Sequence, residues 1–288
     1  MTFPSDRDLQ TWLDVATEAA QSAGAVLQHY WGNLQDVQEK GRSGDLVTEA
    51  DRAAEAAVMA VMDRHLPTDH GLVAEESGAS GRDGSAFLWA IDPLDGTTNY
   101  THQYPFCSVS IGLLFEGEPI LGVVCNPILN ELFQAAKGQG ATLNRQPMRV
   151  STTDQLAQSL LVTGFAYDRR DTADNNYAEF CQFTHLTQGV RRGGSAAVDL
   201  AYVACGRLDG YWERGLSPWD ITAGIALVRE AGGRVTAYDQ GALVVLTGRL
   251  LATNGHLHSA MATVLQQVKP LAFTPCPWPK GLRWAKRG

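Results

Sequence analysis

The sequence predicts an α/β protein of the α+β kind, with a largely antiparallel sheet in its first half and alternating strands and helices in its second. Three observations carry that prediction. Apolar residues recur at helical spacing through "DLQTWLDVATEAAQSAGAVLQHYWG", at Leu9, Leu13, Ala16, Ala20, Ala23 and Leu27. The runs "FLWAI", "CSVSIGLLFE", "PILGVVCNP" and "ELFQAAKG" follow one another across short turns such as "EGEP", as in a meander. Beyond residue 150, "LLVTGF", "GRVTAY" and "RLLATN" are separated by helical stretches.

The elements follow in order. After the first helix, "DLVTEADRAAEAAVMAVMDRHLP" reads as a second amphipathic helix, capped at Thr48 or a neighbour and stopped before Pro67. The glycine-rich "ESGASGRDGS" reads as loop, and "AKGQGATLN" as a hairpin turn, since no Lys-Ser/Thr follows to make a nucleotide loop. Helices are expected over 173–187 and 221–231. The composition changes near residue 150, dividing the chain into 1–150 and 151–288. The Pro-rich basic tail, 271–288, reads as a partly ordered surface extension.

Composition excludes several classes of function. With 44% hydrophobic and 19% charged residues the chain buries a core. A net charge of −8 argues against a broad nucleic-acid surface, yet leaves room for a small phosphorylated substrate where a metal ion inverts the local charge. Five scattered cysteines without a CxxC pair fit reduced thiols in the cytoplasm. The start "MTFPSDRDLQTW" does not read as a secretory signal, and no apolar run reaches the ~20 residues of a membrane helix.

The chemistry concentrates in "IDPLDGTT". A strand delivers Asp92 at its end, Pro93 bends the chain, and Asp95 then faces the same space. Gly96 allows close approach to the backbone, and the N–H groups of Gly96 and Thr97, if they open a helix, form an anion site. Carboxylates beside such amides suit Mg²⁺ bridging to a phosphate. Glu75 in "VAEES" ends another short strand, and Asp220 in "SPWD" opens a helix, where capping alone also accounts for it. Arg191 and Arg192 suit a phosphate clamp and an interface equally. His256 and His258 read as surface histidines rather than metal ligands.

Together "KGRSGDLVTEAD", "VAEES", "WAIDPLDGTTNYTHQYPFCSVSIGL", "RRGGSAAVDLAYVACGRLDGYWE" and "WDITAGIALVREAGG" resemble the inositol monophosphatases, lithium-sensitive, metal-dependent sugar phosphatases, over residues 8–268. The resemblance implies a layered αβαβα sandwich with the site at the seam of the two halves. It implies that Glu75, Asp92, the Leu94 carbonyl, Asp95 and Asp220 hold two or three Mg²⁺ ions, with Mn²⁺ as a substitute and Li⁺ and Ca²⁺ as inhibitors. Glu75 also orients the attacking water, whose proton passes to Thr97 with Asp51. Gly96 and Thr97 bind phosphate, Asp95 and Asp220 lie against the substrate, and Gly194, Ser195, Ala196 and Glu213 face the sugar hydroxyls. A cytoplasmic homodimer acting on myo-inositol monophosphate is implied. Fructose 1,6-bisphosphate, histidinol phosphate and sugar 1-phosphates stay open as alternatives. The "RRGG" before Ser195 and the Pro-rich tail depart from the family pattern.

Overall fold

The computed structural model describes residues 3–41 and 44–272. The expectation for the tail therefore lies outside the described residues from 273 onward. Helix α1 (Asp6–Tyr30) begins at a capping box made by Ser5 and Asp8. A small hairpin, β1 (Val37–Glu39) with β2 (Leu46–Thr48), leads into α2 (Glu49–His65), where Thr48 and Asp51 form a second capping box. An eight-stranded sheet follows from β3 (Gly71–Ala74), β4 (Gly78–Gly81), β5 (Phe87–Asp95), β6 (Ser108–Phe115), β7 (Glu118–Asn126), β8 (Glu131–Ala136), β9 (Gly140–Leu143) and β10 (Gln146–Pro147), with the short α3 (Thr97–Thr101) between β5 and β6. The meander is antiparallel, as expected; β3 and β5 pair in parallel. The glycine-rich stretch read as loop is in part the edge strand β4, paired to β3. Glu116 and Gly117 close the β6–β7 hairpin, both at positive φ, as a two-residue turn requires.

The second half builds a five-stranded mixed sheet in the order β12-β11-β13-β15-β14. Its members are β11 (Leu160–Thr163), β12 (Gly189–Arg192), β13 (Gly210–Glu213), β14 (Arg234–Thr236) and β15 (Leu250–Thr253). Its helices are α4 (Tyr177–Leu186), α5 (Ala196–Ala204), α6 (Pro218–Glu230) and α7 (His258–Gln267). Helix α4 starts four residues later than periodicity predicts. Asn176 stands in the left-handed region, φ 69°, and its side chain bonds Thr163, Gly164 and Trp212 instead of continuing a helix.

Three cores define five layers. Helices α1 and α2 pack on the outer face of the first sheet through Leu9, Leu27, Val58, Trp89 and Ile111. Helices α5 and α6 lie between the sheets, in a core drawing Ala90 and Val124 from one half and Leu200, Tyr211 and Ile225 from the other. Helices α4 and α7 cover the far face through Phe183, Trp212 and Met261. This is the αβαβα sandwich that the resemblance implies. No helix among the described residues is long and apolar enough to cross a membrane. Cys107, Cys125, Cys181 and Cys205 are free thiols.

One glycine pair sets the position of α6. Gly112 and Gly122 are cross-strand partners on β6 and β7. A Cβ on Gly112 would fall 2.5 Å from Thr222 Cγ2, and one on Gly122 2.3 Å from the Ala223 carbonyl oxygen. The missing methyl groups let the α6 backbone sit directly on the sheet, and Ser110 Oγ donates to the Trp219 carbonyl at 3.0 Å beside it. Gly122→Ala is expected to destabilise the protein by about 1–3 kcal/mol or more through overpacking. Urea unfolding checks this.

His258 is buried, correcting its reading as a surface residue. Thr236 Oγ1 donates to the Ala237 carbonyl at 2.6 Å, so His258 Nε2 must donate to Thr236 Oγ1 at 2.8 Å. Thr253 Oγ1 accepts from Gly255 N–H and donates to Nδ1 at 2.9 Å. The ring is neutral with its proton on Nε2, and burial lowers its pKa to about 4. The unfolded chain therefore binds the second ring proton, the one that makes the ring cationic, more tightly than the native state does. The stability due to the neutral ring is complete above about pH 6.5 and is lost as pH falls toward 4. The thermal midpoint of wild type, relative to His258→Asn, is expected to drop across that window, which calorimetry from pH 7.5 to 4.5 reads directly.

Candidate active site

Backbone geometry brings Asp92 and Asp95 to one face. In β5, Trp89 and Ile91 point into the outer core while Ala90 points into the inner one. Period-two alternation then directs Asp92 inward, toward α6. Unbroken alternation would turn Asp95 outward. Instead Asp92 pairs with Ser110 and Asp95 with Ser108, three residues against two, so a β-bulge holds the extra residue. Pro93, which has no N–H to give a ladder, occupies it. Both carboxylates therefore face the interlayer cleft, as the bend at Pro93 suggests in sequence.

The remaining carboxylates converge from other elements. Glu75 follows β3, held in line by its N–H on the Ile91 carbonyl, and the next N–H, of Glu76, is fixed by Glu55 Oε2 at 2.9 Å. Asp220 stands in the first turn of α6, where its Oδ2 accepts from Ser217 N–H at 2.7 Å. It is thus both a cap and a cleft residue. Asp51, buried at the start of α2, accepts from Thr48 N–H and Oγ1 on one oxygen and from Thr97 Oγ1 at 2.9 Å on the other. Thr97 Oγ1 also lies 3.1 Å from the Leu94 carbonyl. Gly96 adopts φ 95° as the cap of α3, packed against the Phe106 and Gly194 carbonyls. The first turn bond of α3 runs from Tyr100 N–H to the Gly96 carbonyl, so the Gly96 and Thr97 N–H groups come before any helical acceptor.

The second half closes the cleft around Asp95. Ser195 caps α5 and donates from Oγ to Asp95 Oδ2 at 2.7 Å, and Ala197 N–H donates to the same oxygen at 2.7 Å. Glu213, at the end of β13, is buried and accepts from Tyr211 at 2.6 Å. Arg192 leans toward Asp95 and Glu213, whereas Arg191 turns to its neighbour's carbonyl. Gly193 has no room for a side chain: a Cβ would lie 2.1 Å from Asp199 Oδ1. The doubled glycine of "RRGG" thus has a local steric cause.

Electrostatics set these groups apart from a solvated loop. Asp92 is held well above the usual carboxylate range, first by burial and then by repulsion from Glu75, Asp95 and Asp220. Asp220 is raised the same way, by burial and then by Asp95, and Asp95 and Glu75 are raised by burial. Burial lifts Asp51 to about 6 and Glu213 to about 7. Among the described residues, Lys40 forms an ion pair with the cleft, missed in the sequence because a lysine beside a glycine turn reads as a surface residue. Its Nζ lies 2.8 Å from Glu75 Oε1 and also pairs with Glu76. Burial lowers its pKa, but the two glutamates outweigh that and raise it overall.

These residues fit a divalent cation. The donors are all oxygens, repel one another, and already draw an ammonium onto Glu75. Ser108 Oγ, opposite Asp95, is buried without a protein partner. In this arrangement no three such groups among the described residues converge on one ion.

A layered α/β sandwich with acidic residues and a helix cap meeting at its seam defines a metal-dependent phosphatase class. The chain belongs to the inositol monophosphatase family, whose model matches residues 8–269. It is a phosphatase of that family. It is 62% identical over 261 residues to the inositol-1-monophosphatase of Synechocystis sp., covering 91% of each chain. It is 41% identical over 269 residues to the Nus factor SuhB of Pseudomonas aeruginosa, covering 91% of this chain and 98% of the relative. The structure of inositol monophosphatase from Anabaena (Nostoc) sp. superposes with a TM-score of 0.85 at 60% identity, covering 92% of this chain and 98% of that one.

Charge repulsion makes a stability prediction. Asp92→Asn keeps the oxygen that accepts from Leu94 N–H and replaces, with a neutral amide, a buried acid that must either repel its neighbours or take up a proton. In EDTA its thermal midpoint is expected to rise by about 2–4 °C over wild type. Adding Mg²⁺ should raise the midpoint of wild type and shift that of the variant far less. Thermal scans of both proteins, with and without Mg²⁺, supply the comparison.

Proposed function

We propose that the protein hydrolyses myo-inositol monophosphate to inositol and phosphate by direct attack of water, without a phosphoenzyme. The observation that carries this reading is the set of mutually repelling carboxylates, Glu75, Asp92, Asp95 and Asp220, held on one cleft beside the cap of α3. The name of the Synechocystis relative supports the substrate. Residues 1–150 supply most of the cation ligands, and residues 151–288 supply Asp220 and the sugar pocket.

Glu75, Asp92, the Leu94 carbonyl, Asp95 and Asp220 would hold the Mg²⁺ ions, which when bound supply positive charge that acidifies water and offsets the phosphate. The chain's own groups do the rest. Thr97 Oγ1 gives its hydrogen to Asp51 Oδ1 at 2.9 Å, leaving a lone pair on Oγ1 for the proton of the attacking water. Asp51 is fixed by its Thr48 bonds, and with a pKa near 6 it is ionised at neutral pH. The Gly96 and Thr97 N–H groups meet the phosphate oxygens. Ser195 and Ala197 hold the Asp95 carboxylate in one orientation. Glu213, with Gly194, Ser195 and Ala196 around it, accepts from hydroxyls of the leaving polyol. A cytoplasmic homodimer, inhibition by Li⁺ and Ca²⁺, and Mn²⁺ as a substitute belong to the same reading.

Phosphate release from inositol 1-phosphate and fructose 1,6-bisphosphate, measured in parallel with Mg²⁺, with EDTA and with Mg²⁺ plus Li⁺, tests it. Turnover of the inositol ester is expected, abolished by EDTA and suppressed by Li⁺. Thr97→Ala and Asp220→Asn are expected to lower kcat/KM by about 10²–10⁴-fold. Retention of configuration at a chiral phosphate would exclude direct attack. Turnover of neither ester would move the assignment to histidinol phosphate or sugar 1-phosphates.

A further inference from the structure

Residues 164–168 leave β11 as a strap laid against the end of β13, where Glu213 stands. A Cβ on Gly164 would fall 2.1 Å from Glu213 Oε2, and one on Gly215 would fall 2.6 Å from Ala166 Cβ. Asp168 receives both terminal nitrogens of Arg214, at 2.7 and 3.2 Å. The strap is braced from outside as well: Phe165 packs on Tyr177 and Phe180, with centroids 5.3 and 5.6 Å apart, and Arg169 Nη1 donates to the Ala166 carbonyl at 3.1 Å.

Tyr167 lies between Ala166 and Asp168, which are held by Gly215 and Arg214 just beyond β13, and makes none of their contacts. Its side chain is 47% exposed and lies within electrostatic reach of Asp45, Glu75, Asp220 and Asp95. Three residues after the glycine that lies against Glu213, Tyr167 stands on the Glu213 edge of the cleft. Burial, with those carboxylates, holds the phenol protonated, so at neutral pH it is available as a donor.

We propose that Tyr167 is a specificity-determining residue: its ring walls the polyol of the bound ester, and its hydroxyl donates to an oxygen of that ester. The inference rests on the reading of the cleft as a polyol phosphate site. A pinned aromatic with one polar tip suits the role, because it offers a large contact surface with few rotamers to freeze. A cyclic polyol fills the space between Tyr167 and Glu213, whereas a three-carbon polyol reaches only one of them.

The test compares kcat/KM for inositol 1-phosphate with that for glycerol 2-phosphate, in Mg²⁺, for wild type, Tyr167→Phe, Tyr167→Ala and Asp168→Asn. The expected result is an inositol-to-glycerol ratio about tenfold lower in Tyr167→Ala, mainly through KM. Tyr167→Phe is expected to lose about threefold through the missing hydroxyl. Asp168→Asn, which loosens the strap without touching the ring, is expected to lower the ratio in the same direction. A Mg²⁺-dependent rise in thermal midpoint equal to that of wild type verifies that the carboxylates of each variant are intact. A ratio within twofold of wild type in Tyr167→Ala overturns the inference while leaving the phosphatase reading in place. Failure of wild type to turn over either ester overturns that reading and this inference with it.

Discussion

Mutual repulsion among four carboxylates at one seam is the constraint on which the rest of the molecule depends. Asp92 is buried, and Glu75, Asp95 and Asp220 line the cleft around it. Left to themselves such groups would spread apart or take up protons. Each is instead fixed by a backbone feature: the end of β3 for Glu75, the bulge of β5 for Asp92 and Asp95, and the first turn of α6 for Asp220. The fold therefore keeps in place an arrangement that disfavours itself until positive charge arrives. Lys40 supplies one such charge at the edge.

The same logic explains why capping and a place in the cleft coincide. Asp51 and Asp220 each complete a capping box, which uses one carboxylate oxygen and fixes the rotamer. The other oxygen of Asp51 then faces Thr97, and Asp220 is held where it feels Asp95 and Glu75. A residue that seems fully explained by helix chemistry is thereby oriented for a second task. The two explanations are one geometry.

Much of this was legible in the sequence, and the gaps have identifiable causes. The meander, both amphipathic N-terminal helices and the Thr48 cap follow from periodicity and cap chemistry, which are local. The parity reversal between Asp92 and Asp95 is signalled by Pro93, because proline inside a strand demands an irregularity. Lys40 and Tyr167 escaped because their significance lies in where distant segments bring them. Asn176 delayed α4 through a left-handed backbone stabilised by Trp212, a contact 36 residues away. His258 appeared exposed because the hydroxyls that receive it, Thr236 and Thr253, belong to two different strands. Ser195 was marked through family resemblance as a sugar contact, and its hydroxyl is spoken for by Asp95.

The glycine pair beneath α6 gives this architecture a form of modularity. A seat defined by absent atoms has one-sided tolerance: any side chain is too large, and no residue is smaller. The register of Asp220 against the first sheet is accordingly set by a close approach of α6, in which its backbone and the Thr222 side chain both meet the glycines. The rim formed by residues 164–168 and β12 carries no part of that seat. Residues at the rim can thus change, by drift or by design, while the spacing of the acidic residues beneath them is inherited unchanged.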